Sequence, residues 1–238
     1  MSTPDASASP ATTIVHLLRH GEVHNPEGVL YGRRDGFHLS DRGKAMALAA
    51  ADYLAGRDVT VLRSSPLERA RETAAPLAEK LGLEVGIEDR VLESTNRFEG
   101  KSFAEPAKVL LDPRVWPLLW NPFRPSWGEP YKAIVVRMLA AVEDARKEAE
   151  GHEAVLVSHQ LPIWTTRLAV EKRSFLHNPR SRQCTLCSVT SLHFVGTELA
   201  QVSYAEPAID LIPAEDLHDP FSAGDAPEEN KPKGPTPA

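Results

Sequence analysis

The sequence predicts an α/β domain built on a largely parallel central sheet. Two observations predict it. Short apolar runs that favour strands alternate with longer stretches of helical pattern, as in βαβ units. Three of those runs also end in similar polar residues: Arg19-His20-Gly21, Arg63-Ser64-Ser65 and Ser158-His159. In open α/β sheets, ligands bind outside the carboxyl ends of the strands, so those endings would converge on one site.

The elements follow in order. Ile14 to Arg19 is an apolar run suited to a buried strand. Ser40 is placed to cap a helix over the Ala-rich residues 41–55. Residues 59–62, Val-Thr-Val-Leu, form a second strand. Ser64-Ser65-Pro66 then opens a helix with Pro66 in its first turn, running to about Leu81 and ended by Gly82. Residues 84–92 read as extended. A long helix spans about 129–149, and Ala154 to Val157 is a third buried strand. Cys187 to Phe194 and Leu199 to Tyr204 read as a hairpin turning at Val195-Gly196-Thr197.

The flanks differ in composition. Residues 1–12 are rich in Ser, Ala, Pro and Thr and read as a disordered leader, and 213–238 read as a disordered, charged, Pro-rich tail. The domain is therefore expected over 13–212. Within it, residues 112–131 stand out, carrying three of the four tryptophans together with Phe123, Arg114 and Arg124.

Composition narrows the function. With 42% hydrophobic and 25% charged residues the chain is globular, and a net charge of −6 gives no domain-wide basic field for nucleic acid. No apolar run reaches the ~18–20 residues a membrane helix needs. The first residues lack a positive region followed by an apolar one, so no secretory signal is expected and the reading is cytoplasmic. Cys184 and Cys187 make no disulfide framework, and a single C-x-x-C leading into a strand reads as two buried thiols. His20-Gly21-Glu22-Val23-His24 superficially resembles a zinc helix. However, the glutamate is one place too late, and Gly21 and Pro26 oppose a helix, so no metal site is expected.

At the strand ends, arginine offers several donors to phosphate oxygens and keeps its charge. A neutral histidine nitrogen can attack covalently, and clustered cations hold its pKa down. These parts suit phosphoryl transfer through a phosphohistidine, but they lack an acid for the leaving oxygen.

The ordered blocks LLRHGEVHN at 17–25, LSDRGKAMA at 39–47, SSPLERARETA at 64–74, VLESTNRFEG at 91–100 and VLVSHQ at 155–160 resemble the histidine phosphatase superfamily, the phosphoglycerate-mutase-like phosphatases. The resemblance implies a three-layer α/β/α fold. It implies His20 as the phosphorylated nucleophile, Arg19 and Arg69 as phosphate ligands, His159 as completing the cationic pocket, and Asn25 as an amide donor to phosphate. Glu93 matches the family's general acid and base and would need a raised pKa. Arg33 and Arg34 fall near the pocket in the family pattern, and Arg34 is carried as a substrate-binding candidate with surface arginine as the plain alternative; Gln160 is carried likewise, with helix start as its alternative. The 112–131 insert falls where the family has a substrate-covering lid, in which Trp116, Trp120, Phe123 or Trp127 pack the substrate or simply anchor the insert. No cofactor and no metal are implied, and the partner is a small phosphomonoester. Oligomeric state, a homodimer included, is not legible.

Val23 stands where the family has Thr or Ser, and Gln160 where it often has Gly. The Arg-His-Tyr-Gly run and paired arginines of glycolytic mutases are not evident, which favours a phosphomonoesterase. The alternatives are a cofactor-dependent phosphomutase and a phospholigand-binding protein without catalysis.

Overall fold

The computed structural model describes residues 11–96, 99–100, 128–176 and 182–213. Residues 1–10, the tail from 214 and all of the Trp-rich insert up to residue 127 lie outside the described residues. The elements are β1 (Thr12–Arg19), α1 (Asp41–Ala55), β2 (Val59–Ser64), α2 (Glu68–Leu81), β3 (Gly86–Ile87), a short 3-10 turn (Asp89–Val91), α3 (Tyr131–Glu148), β4 (Glu153–Ser158), α4 (Gln160–Val170), β5 (Val189–Val195), β6 (Glu198–Ala205) and a second 3-10 turn (Ile209–Leu211).

They build a mixed six-stranded sheet in the order β3-β2-β4-β1-β5-β6. β2, β3, β4 and β1 run parallel, while β5 and β6 add an antiparallel hairpin beside β1. Strand side chains alternate between faces, and both faces are covered. Leu17, Val61, Ala154 and Leu156 join Ile134, Met138 and Ile163 of α3 and α4. Leu18, Leu62, Val155 and Val157 join Met46, Leu54, Ala70 and Leu77 of α1 and α2. This double burial explains why β1, β2 and β4 read as continuous apolar runs. No described helix is long and apolar enough to cross a membrane.

Several boundaries shift from the sequence reading. β1 begins at Thr12, inside the stretch read as leader. Pro66 lies just before the helix, not in its first turn, because Leu67 is the N-cap and α2 starts at Glu68. Residues 84–92 pair as strand only at β3, and the 3-10 turn at Asp89–Val91 interrupts the extended backbone between Glu88 and Leu92. There the Glu88 carboxylate accepts from the Arg90 amide and turns the chain into the 3-10 turn that leads to Glu93.

Ser40 does cap α1, its hydroxyl accepting from the Gly43 amide at 2.9 Å. The same hydroxyl donates to the buried Glu22 carboxylate at 2.5 Å. The loop after β1 is thereby bolted to the start of α1, and two glycines make the approach feasible. A Cβ on Gly21 would sit 2.6 Å from the Gly43 carbonyl oxygen, and one on Gly43 would sit 2.0 Å from the Glu22 oxygen.

Gly43→Ala is therefore expected to destabilise the fold by ~1–3 kcal/mol, the usual range for overpacking. Gly56→Ala, whose Cβ would meet nothing within 4 Å, is expected to leave stability unchanged or raise it by ~0.4–1 kcal/mol. Urea unfolding of the two variants checks the contrast.

Candidate active site

The site is assembled by strand register. β1 and β4 pair in parallel with Arg19 opposite Ser158, so the next residues, His20 and His159, leave the sheet together. Their ring centroids are 5.1 Å apart. β2 pairs with β4 so that Ser64 faces Val157, and the Ser65 amide donates to the Val157 carbonyl at 2.9 Å. α2 then returns Arg69 to the same edge.

His20 is buried, and its Nδ1 lies 2.8 Å from the Gly21 carbonyl oxygen. A carbonyl can only accept, so Nδ1 carries the proton and Nε2 keeps its lone pair. Burial first, then the charges of Arg69 and Arg19, hold the His20 pKa well below 6.5. The ring is therefore a neutral base at ordinary pH. The backbone around it is fixed on three sides. The His20 amide donates to the Ser158 carbonyl at 3.0 Å. The His20 carbonyl accepts from the Cys187 amide at 3.4 Å. The Gly21 amide donates to the Thr73 hydroxyl at 3.0 Å.

The cations are buried too. Arg19 donates from Nη1 to the Cys184 carbonyl at 2.7 Å. Arg69 is 0% exposed. Its Nη2 donates to the Gly32 carbonyl at 2.6 Å, and its guanidinium lies 4.6 Å from the centre of the Tyr31 ring. Its Nε and Nη1 have no hydrogen-bond partner among the described residues. A buried unsatisfied donor costs about 1–3 kcal/mol, so such a guanidinium is preorganised for an anion.

His159 is equally buried, with Nε2 2.8 Å from the Ser65 hydroxyl and Nδ1 unpartnered among the described residues. Burial, Arg69, His20 and Arg19 lower its pKa well below 6.5. Glu93 follows the 3-10 turn, and its Oε1 accepts from the Ser94 amide at 2.7 Å. Burial raises its pKa against the opposing pull of that amide, Arg69 and Arg19. The shift of Glu93 is thus opposite in direction to those of the two histidines, the pattern an acid and a base need.

The other candidates separate. Asn25 is buried, but its amide clasps the Val29 backbone, donating at 2.9 Å and accepting at 3.2 Å. In the structure its described hydrogen bonds therefore hold a turn. Gln160 is the first residue of α4, and its Oε1 accepts from Arg182 at 3.4 Å. Arg34 is exposed, with its guanidinium beside Gly100. Its neighbour Arg33 faces the site instead, donating from Nε to the Glu93 carbonyl at 2.6 Å and from Nη2 to Glu129 at 3.2 Å. Arg137 grips the same Glu129 at 2.9 Å and the Arg90 carbonyl at 2.6 Å.

Sequence reasoning placed Ser65 at a strand ending and read Cys184 and Cys187 as buried thiols, but it assigned no role to Ser65, to Thr73 or to the backbone of that cysteine turn. Both thiols are buried and unpaired, and burial pushes Cys187 up to about 12. They are inert, and their backbone holds Arg19 and His20. Cys187 has a left-handed backbone with φ of 53°, which no sequence pattern announced. His16, the other histidine on β1, has its ring nitrogens engaged by Ser191 and Glu153.

A family model of the histidine phosphatase superfamily (branch 1) matches residues 15–207. The chain belongs to that superfamily. Among relatives, the Mycobacterium tuberculosis protein Rv0525 is 53% identical over 199 residues, covering 84% of this chain and 98% of its own. Phosphoserine phosphatase 1 of Hydrogenobacter thermophilus is 33% identical over 62% of this chain and 71% of its own. Among solved structures, a mycobacterial glucosyl-3-phosphoglycerate phosphatase aligns with a TM-score of 0.62 and 25% identity, over 81% of this chain and 97% of its own. A phosphoglycerate mutase from Bacillus anthracis, 18% identical with a TM-score of 0.63 over 85% of this chain and 96% of its own, shares the fold. The protein is thus a histidine phosphatase superfamily member with phosphatase relatives.

Inorganic phosphate is expected to stabilise this superfamily member, by ~2.7 kcal/mol at a hundredfold excess over its dissociation constant. Arg69→Gln is expected to remove most of that gain. Thermal melts of both proteins across a phosphate titration check it, and equal shifts would place phosphate elsewhere.

Proposed function

We propose that the protein is a metal-independent phosphomonoesterase that works through a phosphohistidine on His20. The observation that carries the proposal is the His20 ring itself: Nδ1 is tied to the Gly21 carbonyl, which leaves Nε2 as an unprotonated nucleophile among buried arginines.

In the first step Nε2 attacks phosphorus in line. The P–N bond forms, the ester P–O bond breaks, and Glu93 gives its proton to the departing alcohol oxygen. In the second step a water attacks the phosphohistidine, Glu93 takes the water's proton, and P–N cleavage returns His20 and frees inorganic phosphate. Arg19, Arg69 and His159 hold the equatorial oxygens through both steps. Phosphoryl transfer is catalysed chiefly by positioning and charge stabilisation, and two guanidiniums supply here the charge a metal supplies elsewhere. Retention of nucleophile, cations and acid together disfavours a ligand-binding protein without catalysis.

The substrate class is a small phosphate ester. Phosphoserine and glucosyl-3-phosphoglycerate, the compounds that name the phosphatase relatives, head the screen. A phosphomutase would use the same nucleophile but return the phosphoryl group to substrate before water intervenes.

Activity is expected to survive EDTA and to be lost in His20→Ala, with labelled phosphohistidine trapped on wild type only. Incubation with 3-phosphoglycerate and a trace of 2,3-bisphosphoglycerate separates the rivals, since rapid 2-phosphoglycerate formation would make the protein a mutase.

The pH profile follows from the two shifts. His20 must be neutral, and its pKa is lowered, so kcat/KM should persist below pH 6.5 and fall only as pH drops through the lowered value. Glu93 must be protonated, and its pKa is raised above 4.5, so activity should fall as pH rises through that raised value. Glu93→Gln should lose ~10²–10⁴-fold in rate and the alkaline limb with it.

A further inference from the structure

We infer that Ser65 is a positioning residue that fixes the tautomer of His159, so that His159 meets the phosphoryl group as a neutral Nδ1–H donor. The inference rests on the phosphatase reading above and adds a residue to its machinery.

The argument begins with charge. His159 is completely buried within a cluster of cations and is held neutral there. A neutral imidazole has one donor and one acceptor nitrogen, and which is which depends on its partners. Only the donor can stabilise a phosphoryl oxygen. The wrong tautomer would aim a lone pair at an anion.

Ser65 is the partner that decides. Its hydroxyl lies 2.8 Å from His159 Nε2, both residues are 0% exposed, and this is the only described hydrogen bond of that hydroxyl. If Nε2 carried the proton, it would donate to the hydroxyl oxygen. The Ser65 O–H would then lack a described acceptor, and Nδ1 would hold a lone pair. If Ser65 donates to Nε2, the hydroxyl is satisfied and the ring proton moves to Nδ1. That nitrogen is buried and has no partner among the described residues, and its ring stands 5.1 Å from that of the nucleophile. The second arrangement satisfies Ser65 and makes the ring's other nitrogen an open donor, beside the open Nε and Nη1 of Arg69.

Ser65 is itself rigid. Its amide donates to Val157, its carbonyl accepts from the Ser64 hydroxyl at 2.9 Å, and it sits directly beyond β2. The hydroxyl is thus aimed by the same register that brings His159 beside His20. Its Nδ1–H neighbour keeps a fixed direction without becoming charged, so His159 binds phosphate without adding a third positive charge to the buried pocket.

The test uses the full chain and two readouts. Long-range nitrogen–proton NMR of the His159 ring in wild type is expected to find the proton on Nδ1, with and without inorganic phosphate. Finding it on Nε2 would overturn the inference, and this measurement needs no variant and no turnover. Inorganic phosphate binding is then measured by calorimetry on wild type, Ser65→Ala, His159→Ala and the double variant. Ser65→Ala is expected to weaken binding and lower kcat/KM for p-nitrophenyl phosphate by ~10–100-fold, the size seen when a partner orienting an active-site imidazole is removed. In the His159→Ala background the same change should add less than about twofold, because the pair acts as a unit. An undiminished loss there would mean that Ser65 acts by another route and would sink the inference. A wild type that neither binds phosphate nor hydrolyses any phosphomonoester would sink the phosphatase reading instead, and the NMR result would still decide the tautomer.

Discussion

Two guanidinium groups, Arg19 and Arg69, lie buried at the carboxyl ends of a parallel sheet, and the site is organised around holding them there. Removing such charges from water is costly unless they are hydrogen-bonded and preorganised for a counter-charge. The protein meets part of the cost with backbone carbonyls, those of Cys184 and Gly32, and with the face of Tyr31. Carbonyls stabilise a cation without neutralising it, so the field at the strand ends stays positive. That field, added to burial, keeps His20 and His159 unprotonated. At Glu93 burial overcomes the arginines' pull, and the carboxyl is pushed the other way. The same constraint thus shifts His20 and Glu93 in opposite directions.

Much of this was legible in the sequence. The alternation of runs gave a largely parallel sheet, and the polar endings of those runs located its functional edge. Ser40 read correctly as a cap because an N-cap hydroxyl is a local, side-chain-specific signal. Glu93 could not be found from local pattern and came only with the family resemblance, since its proton affinity depends on a burial that no short window displays.

What stayed hidden shares a cause. Arg33 and Arg34 were both legible as near the pocket but not which of them reaches it, because Arg33 meets the Glu93 carbonyl across 60 positions of sequence and nothing local distinguishes it from its exposed neighbour. The turn at Cys184 to Cys187 works through main-chain atoms, so its residue types point to redox or metal chemistry rather than to its actual role. Gly21 was read as part of a strand ending and as opposing a helix. The crowding it relieves is against the Gly43 carbonyl and the Cys187 sulfur, a tertiary contact between three separate segments.

Finally, Asn96 and Gly128 form an isolated antiparallel bridge, and the Glu129 amide donates to the Thr95 carbonyl at 3.2 Å. The bridge is a clasp that ties Asn96, a few positions beyond Glu93, to Gly128. The clasp is further stapled by Arg33 and Arg137 through Glu129. Loop-closure entropy rises only by ~0.6 kcal/mol for each doubling of length, so the clasp tolerates a change in the length of sequence between its two halves at little cost. In engineering terms, Asn96 and Gly128 mark a splice point.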